Sequence, residues 1–103
     1  MSLLTDAAAI VASSSAWCKG ANARDASGKW CSPLNPHAVA WDVYGALVKA
    51  TVAGSYHDSD FDAAYAHLKS KIPTAFPTAH QHNTDIEFYN DSLVFSNVAG
   101  LFS

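Results

Sequence analysis

Few side chains in this sequence are typed and spaced for chemistry. Arg24 is the only arginine. It stands beside Asp25 at the head of Asp25-Ala26-Ser27-Gly28, a type I turn signal with Asp at the first corner and Gly at the fourth. A guanidinium fork there could clamp a ligand carboxylate or phosphate. The favoured expectation is that it bridges the hairpin to a carboxylate such as Asp91 or Asp42 and orders the loop. His80-Gln81-His82 with Asp85, joined by His57-Asp58 or His67 if the fold brings them in, offers donors suited to zinc or another divalent ion. The pair sits in a Pro-flanked loop and matches no established ligand spacing, so solvated histidines are expected and no metal ligand is assigned. Asp58, Asp60 and Asp62 alternate as in a calcium loop. They lack its sixth-position Gly and closing Glu, and a helix N-terminus explains them.

Nucleophile and phosphate motifs are missing. There is no G-x-S-x-G elbow, and the five glycines are dispersed. The cysteines fall in a repeated pair, Trp17-Cys18 and Trp30-Cys31. A regular hairpin about the turn sets Arg24 opposite Lys29 and Asn22 opposite Cys31, leaving Cys18 without its partner across the ladder. Reduced thiols are therefore expected, with no zinc motif between them. No catalytic residue and no cofactor is expected.

Among the aromatic residues, Trp41 and Tyr44 read as core. Trp30, beside Lys29 on a hairpin that should be exposed, reads either as a binding contact or as packing over the second helix. The binding set expected from sequence is Arg24, Lys29 and Trp30 on the hairpin with Asp58, Asp60 and Asp62 at the acidic corner.

The elements that must position these residues follow from composition and period. With 103 residues, half of them hydrophobic and 15% charged, the chain is expected to fold as one domain, 1–103. A net charge of −3 with six scattered basic residues gives no cationic stripe, so neither nucleic acid nor an anionic membrane surface is expected as a partner. The apolar stretches Leu3–Val11 and Ala38–Ala50 carry charges, and no export signal is visible; the expected location is cytoplasmic.

Periodicity predicts a mainly helical, all-α fold of four to five helices around a central apolar helix, with a short hairpin or loop at 21–31. A first helix runs from Ser2 or Thr5 to Ser15. The central helix starts at Asn35 as N-cap with Pro36 in the first position and stops at Gly54. A third starts at Ser59 with Asp62 completing a capping box, and ends at Pro73. Ala75–Asn83 reads as a loop. Thr84 and Glu87 cap a short helix through Ile86, Phe88 and Tyr89 that closes at Asn90-Asp91, and Leu93–Phe102 carries a weak helical stripe.

The run from Trp17-Cys18-Lys19-Gly20 through Ala21, Ala23, Arg24-Asp25 and Gly28 is distinctive. So are Ala38-Val39-Ala40-Trp41 followed by Gly45-Ala46-Leu47, and later Asn90-Asp91. Together they resemble a family of small uncharacterised bacterial and phage proteins with the pattern W-x-x-G-A-x-A-R-D-x-x-G, then A-V-x-W-x-x-x-G-A-L, then N-D. Asp42 departs from the pattern, where relatives often carry a cysteine, and the last helix is shorter. The resemblance implies the fold and a phage or bacterial setting, and no activity.

The expected function is a non-enzymatic protein-binding module, phage-encoded, that inhibits a host defence complex by covering a surface of a host protein. The alternatives are a small metal-binding or hydrolytic enzyme built on His80, His82 and Asp85 with Arg24 holding an anionic substrate, and a structural homo-oligomer.

Overall fold

The computed structural model describes residues 2–72, 85–91 and 93–102. Helix α1 spans Leu3–Ile10, and the Ser2 hydroxyl accepts the Thr5 N–H at 3.1 Å as its N-cap. It stops five residues short of Ser15. Ser13, Ser14 and Ser15 disfavour continuation, and a single 3-10 turn at Ser14–Ala16 follows instead.

Strand β1, Ala23–Asp25, pairs antiparallel with β2, Ala38–Trp41, in the register Ala23 with Trp41, Arg24 with Ala40 and Asp25 with Ala38. The skipped Val39 is a bulge. Short bridges extend both edges. Trp30 pairs with Arg24, and on the other side Trp17 meets Trp41, whose carbonyl accepts the Cys18 N–H at 3.0 Å.

The 25–28 turn forms, with the Gly28 N–H donating to the Asp25 carbonyl at 2.9 Å. The register about it is one residue off the expected one. Gly28 takes φ +84°, which adds a residue as in a type I turn with a glycine bulge. Asp25 therefore faces Lys29, Arg24 faces Trp30, and the Cys31 N–H reaches the Ala23 carbonyl at 3.0 Å.

The central helix α2 spans Val43–Ala53, not from Asn35. Asn35 spends its side chain on the His37 N–H at 2.8 Å, and its carbonyl accepts the Ala38 N–H, which closes a turn rather than opening a helix. Ala38–Trp41 then satisfy their backbone in the ladder, and Asp42 becomes the N-cap by accepting the Gly45 N–H at 2.5 Å. Val43, Ala46, Leu47 and Ala50 are buried on this helix, while Val52 near its end stays exposed.

Helix α3 spans Asp58–Ser70, and its cap falls two residues before the expected box of Ser59 with Asp62. His57 is the N-cap, and the Asp60 carboxylate accepts its N–H at 3.0 Å. Helix α4 spans Asp85–Asp91 as expected; its cap candidate Thr84 and Pro73 lie outside the described residues. The tail holds a 3-10 turn at Phe95–Asn97 running into α5, Val98–Leu101.

Helix α2 packs against α1, α3 and α4. Leu47, Val43, Leu68 and Val98 are the largest apolar side chains fully buried in this core. Tyr44 meets Phe61 and Tyr65 edge-on with ring centroids 6.2 and 6.0 Å away, and Trp17 packs on Phe95 at 6.1 Å. The fold is a small, mainly helical domain with an antiparallel strand pair across one corner.

Candidate functional site

Strand alternation builds a polar pocket at that corner. The β1–β2 register continues to Asn22 opposite Asp42, where the Asp42 N–H donates to the Asn22 carbonyl at 3.2 Å. Asn22 lies two residues from Arg24 and Asp42 two residues from Ala40, so all four belong to one face of the ladder, shared with Trp30 across from Arg24. Helix α4 forms the facing wall. Glu87 and Asp91, four residues apart, line the pocket, while Ile86 and Asn90 are buried. The Gly20 and Ala21 backbone completes a cavity of about 180 Å³.

Asn90 locks the corner. Its side chain is fully buried and uses all four hydrogen-bonding positions. Oδ1 accepts the Trp17 indole N–H at 2.7 Å and the Val43 N–H at 3.0 Å; Nδ2 donates to the Cys18 carbonyl at 3.1 Å and to Asp91 Oδ1 at 3.2 Å. Asp91 Oδ1 also accepts the Gly20 N–H at 2.9 Å. Gly45 allows the closest approach. A Cβ there would stand 2.0 Å from the Asn22 carbonyl oxygen, so only glycine lets α2 lie against the 20–22 loop.

Asn22 Nδ2 donates to two carboxylates, Asp42 Oδ2 at 3.1 Å and Glu87 Oε2 at 2.5 Å. Burial pushes the Asp42 carboxyl up to about 7; the Gly45 N–H and the Asn22 amide work against this, and the Glu87 and Asp91 charges add to it. The Cys18 thiol, whose Sγ lies 3.5 Å from the Ala21 carbonyl, is raised to about 11, first by burial and then by the Asp42 charge, with Arg24 opposing. It is protonated at neutral pH and no ready nucleophile. Both cysteines are free thiols, in line with the expectation of reduced cysteines.

The structure places the sequence-derived site residues in two separate regions. Trp30 is 70% exposed at the pocket rim, with Lys29 exposed beside it. Arg24 does not bridge to Asp91 or Asp42. Its guanidinium donates to the Gly28 carbonyl of the tight turn at 2.9 Å and to the Lys19 carbonyl of the loop before β1 at 3.0 Å, while Asp91 and Asp42 are engaged by Gly20, Gly45 and Asn22. Asp58, Asp60 and Asp62 are exposed on the first turns of α3, and Asp60 lines a different, shallow pocket with Leu4, Tyr56 and His67. His80 and His82 lie outside the described residues, as does the side chain of Asp85. Among the described residues no three His, Cys, Asp or Glu side chains are arranged to hold a metal ion.

Sequence reading missed Asn22, Asp42, Glu87 and Asn90 as one cluster. The available signal was the Asn90-Asp91 step itself, an isolated polar pair at the end of an apolar turn.

The fold and its corner define a small, mainly helical domain with a strand-pair brace. The sequence profile of a family of unknown function, DUF6197, matches residues 1–96, and the chain belongs to that family. No curated protein and no solved structure matches it. No helix among the described residues is long and apolar enough to cross a membrane.

Proposed function

We propose that the protein is a non-enzymatic protein-binding module whose contact surface is the Trp30 hairpin and the carboxylate-walled pocket at its base. The observation that carries this reading is Trp30, 70% exposed on the rim of a pocket whose walls include Asp42, Glu87 and Asp91. A large, rigid aromatic left in water beside a polar cavity matches the chemistry of interface anchors, and a basic side chain of a partner suits the carboxylate walls. The acidic balance and small size suit an inhibitor that covers a host protein surface in the phage or bacterial setting the resemblance implies. An enzymatic reading has less to support it: the Cys18 thiol is held protonated, both Asp42 oxygens are engaged, and the Arg24 guanidinium is bound to carbonyls.

The test is affinity capture of the tagged protein from bacterial lysate, read by mass spectrometry, with Trp30→Ala in parallel. One stoichiometric partner, lost in the variant, is the expected outcome. A partner retained undiminished by the variant removes the hairpin from the contact, and no enriched partner overturns the reading.

A second reading, a homo-oligomer, is favoured by one observation: an apolar groove of about 470 Å³ between α1 and the C-terminal turn, walled by Ala8, Val11, Phe95, Val98 and Phe102. Sedimentation as a monomer at every concentration would eliminate it.

A further inference from the structure

The outer segment of the hairpin is paired on one side only. Trp30 stands opposite Arg24, and the bonds that join their segments are made by the neighbours: the Asp25 N–H donates to the Lys29 carbonyl and the Cys31 N–H to the Ala23 carbonyl, both at 3.0 Å. A pair of this non-hydrogen-bonded kind turns the N–H and C=O of Trp30 away from β1, toward the open edge. Among the described residues neither group has a partner, and the same holds for the Ser32 N–H, which alternation directs to the same side. The open length has fixed ends. The Gly28 carbonyl before it is taken by the Arg24 guanidinium at 2.9 Å; after it the Ser32 carbonyl accepts the Asn35 N–H at 3.0 Å, and Pro33 has no N–H to offer. The Trp30 N–H and C=O and the Ser32 N–H are left in the spacing that one more antiparallel strand would meet, and such an edge is a template for another chain.

Charge decides what the edge takes. The Trp30 side chain lies on the ladder face that carries Asn22 and Asp42 and rims their pocket, while Lys29 and Cys31 alternate to the other face. A residue added opposite Trp30 therefore stands on the pocket face, where the walls are the carboxylates Asp42, Glu87 and Asp91 and the Arg24 guanidinium is bonded to carbonyls. A second copy pairing at this edge would set Trp30 against Trp30 and bring two carboxylate-walled pockets to one face, like charge beside like, on chains of net charge −3. A segment with a basic side chain complements the same face, and the exposed indole offers that cation a π surface.

We propose that the partner docks by strand addition: an extended segment pairs antiparallel with the 30–32 edge, and its residue opposite Trp30 exchanges both backbone hydrogen bonds with Trp30 and lays an arginine or lysine side chain across the indole toward Glu87 and Asp91. Main-chain bonds give this contact its register, and the carboxylate walls select the basic side chain. The inference rests on the binding reading above and adds to it the mode of contact and the chemistry of the partner segment.

The experiment is NMR of the full chain titrated with short blocked peptides of alternating threonine and valine that differ only at the central residue: arginine, glutamate, or arginine with its backbone nitrogen methylated. With the arginine peptide the Trp30 and Ser32 amides are expected to shift, and at saturation their hydrogen exchange should slow about 10-fold or more. The glutamate and methylated peptides should bind about 10-fold more weakly, the first for its charge and the second for the lost donor to the Trp30 carbonyl. Glu87→Gln, which keeps an oxygen for the Asn22 amide and removes a charge from the wall, should weaken the arginine peptide about 5-fold and leave the glutamate peptide no weaker. Shifts at the indole and pocket, with the Trp30 and Ser32 amides exchanging as in the free protein, overturn strand addition and leave a side-chain contact, so the binding reading stands. Equal affinity for the arginine and glutamate peptides overturns the basic segment. Protection at Trp30 that rises with protein concentration alone overturns it in favour of a second copy. No binding by any of the peptides at millimolar concentration overturns the proposal, while the lysate capture reads separately whether the protein has a partner.

Discussion

Asn90 ties three stretches of the chain together at the polar corner. It satisfies the Trp17 indole, the first N–H of α2 and the Cys18 carbonyl from one buried amide. Asn90→Ala takes the partner from the buried Val43 N–H and from the part-buried Trp17 indole and Cys18 carbonyl, and is expected to cost about 3 kcal/mol or more in urea unfolding. Asn90→Asp keeps the acceptor but loses both donors and sets a second carboxylate beside Asp91, so it should not rescue the fold. A loss under about 1 kcal/mol for either variant would show that the corner is held some other way. The Cys18 thiol, raised to about 11, is expected to react with thiol reagents at pH 7 far more slowly than an unfolded-state cysteine, and a rate equal to that of the denatured protein would contradict its burial. The side-chain types of this corner were legible in the sequence, but their partners were not. An ion pair from Arg24 to one of two distant aspartates is what the sequence suggests, and the carbonyls of Gly28 and Lys19, four and five residues away on either side, take the guanidinium because they lie close along the chain.

At the scale of elements, two glycines separate two kinds of constraint. Gly28 has φ +84° and open space around its missing Cβ, so Gly28→Ala meets only backbone strain, about 1 kcal/mol, and the hairpin should survive. Gly45 has helical backbone but a Cβ site blocked by the Asn22 carbonyl, so Gly45→Ala should cost about 2 kcal/mol or more and open the pocket. Reversal of that order in thermal unfolding would show that the α2 contact with the 20–22 loop is soft. The helices α1, α3 and α4 are readable because apolar stripes are local signals; Ser2 caps as its type suggests, whereas His57 with Asp60 takes the place of the Ser59 and Asp62 box. The start of α2 was misplaced by a local signal of equal quality. Asn35-Pro36 is a good helix opening, and it lost because Ala38–Trp41 find ladder partners in β1, a segment some 15 residues earlier that no local pattern points to.

For the whole molecule, pH dependence follows from two carboxylates with opposite shifts. Asp42, raised by burial, favours the folded state when protonated, so its contribution to stability declines as pH rises from the ordinary 3.8 to about 7 and stays low above that. Asp25, lowered first by the Ser27 hydroxyl and then by the Lys29 N–H, stabilises when ionised, and that contribution fades as pH falls through its depressed value. The stability maximum is therefore expected in the acidic range rather than at neutrality. Urea midpoints measured from pH 3 to pH 8 check this, with the fall toward pH 8 amounting to a few kcal/mol at roughly 1.4 per unit and flattened in Asp42→Asn. A midpoint that rises steadily to pH 8 would mean that Asp42 is ionised at little cost in the native state.

What the sequence determined alone is what short-range physics controls. The helical period, the Ser2 cap, the 25–28 turn and the absence of nucleophile or phosphate motifs are each decided within about a dozen residues, where the chain's own geometry limits the outcomes. Tertiary structure decided the pairing of β1 with β2, the true start of α2, and the meeting of Asn22, Asp42, Glu87 and Asn90 from three separate stretches. Those outcomes depend on which buried donor finds which acceptor once the core closes. A buried polar group is costly until it is paired, so the partner is chosen by the packed fold and not by neighbours in the chain.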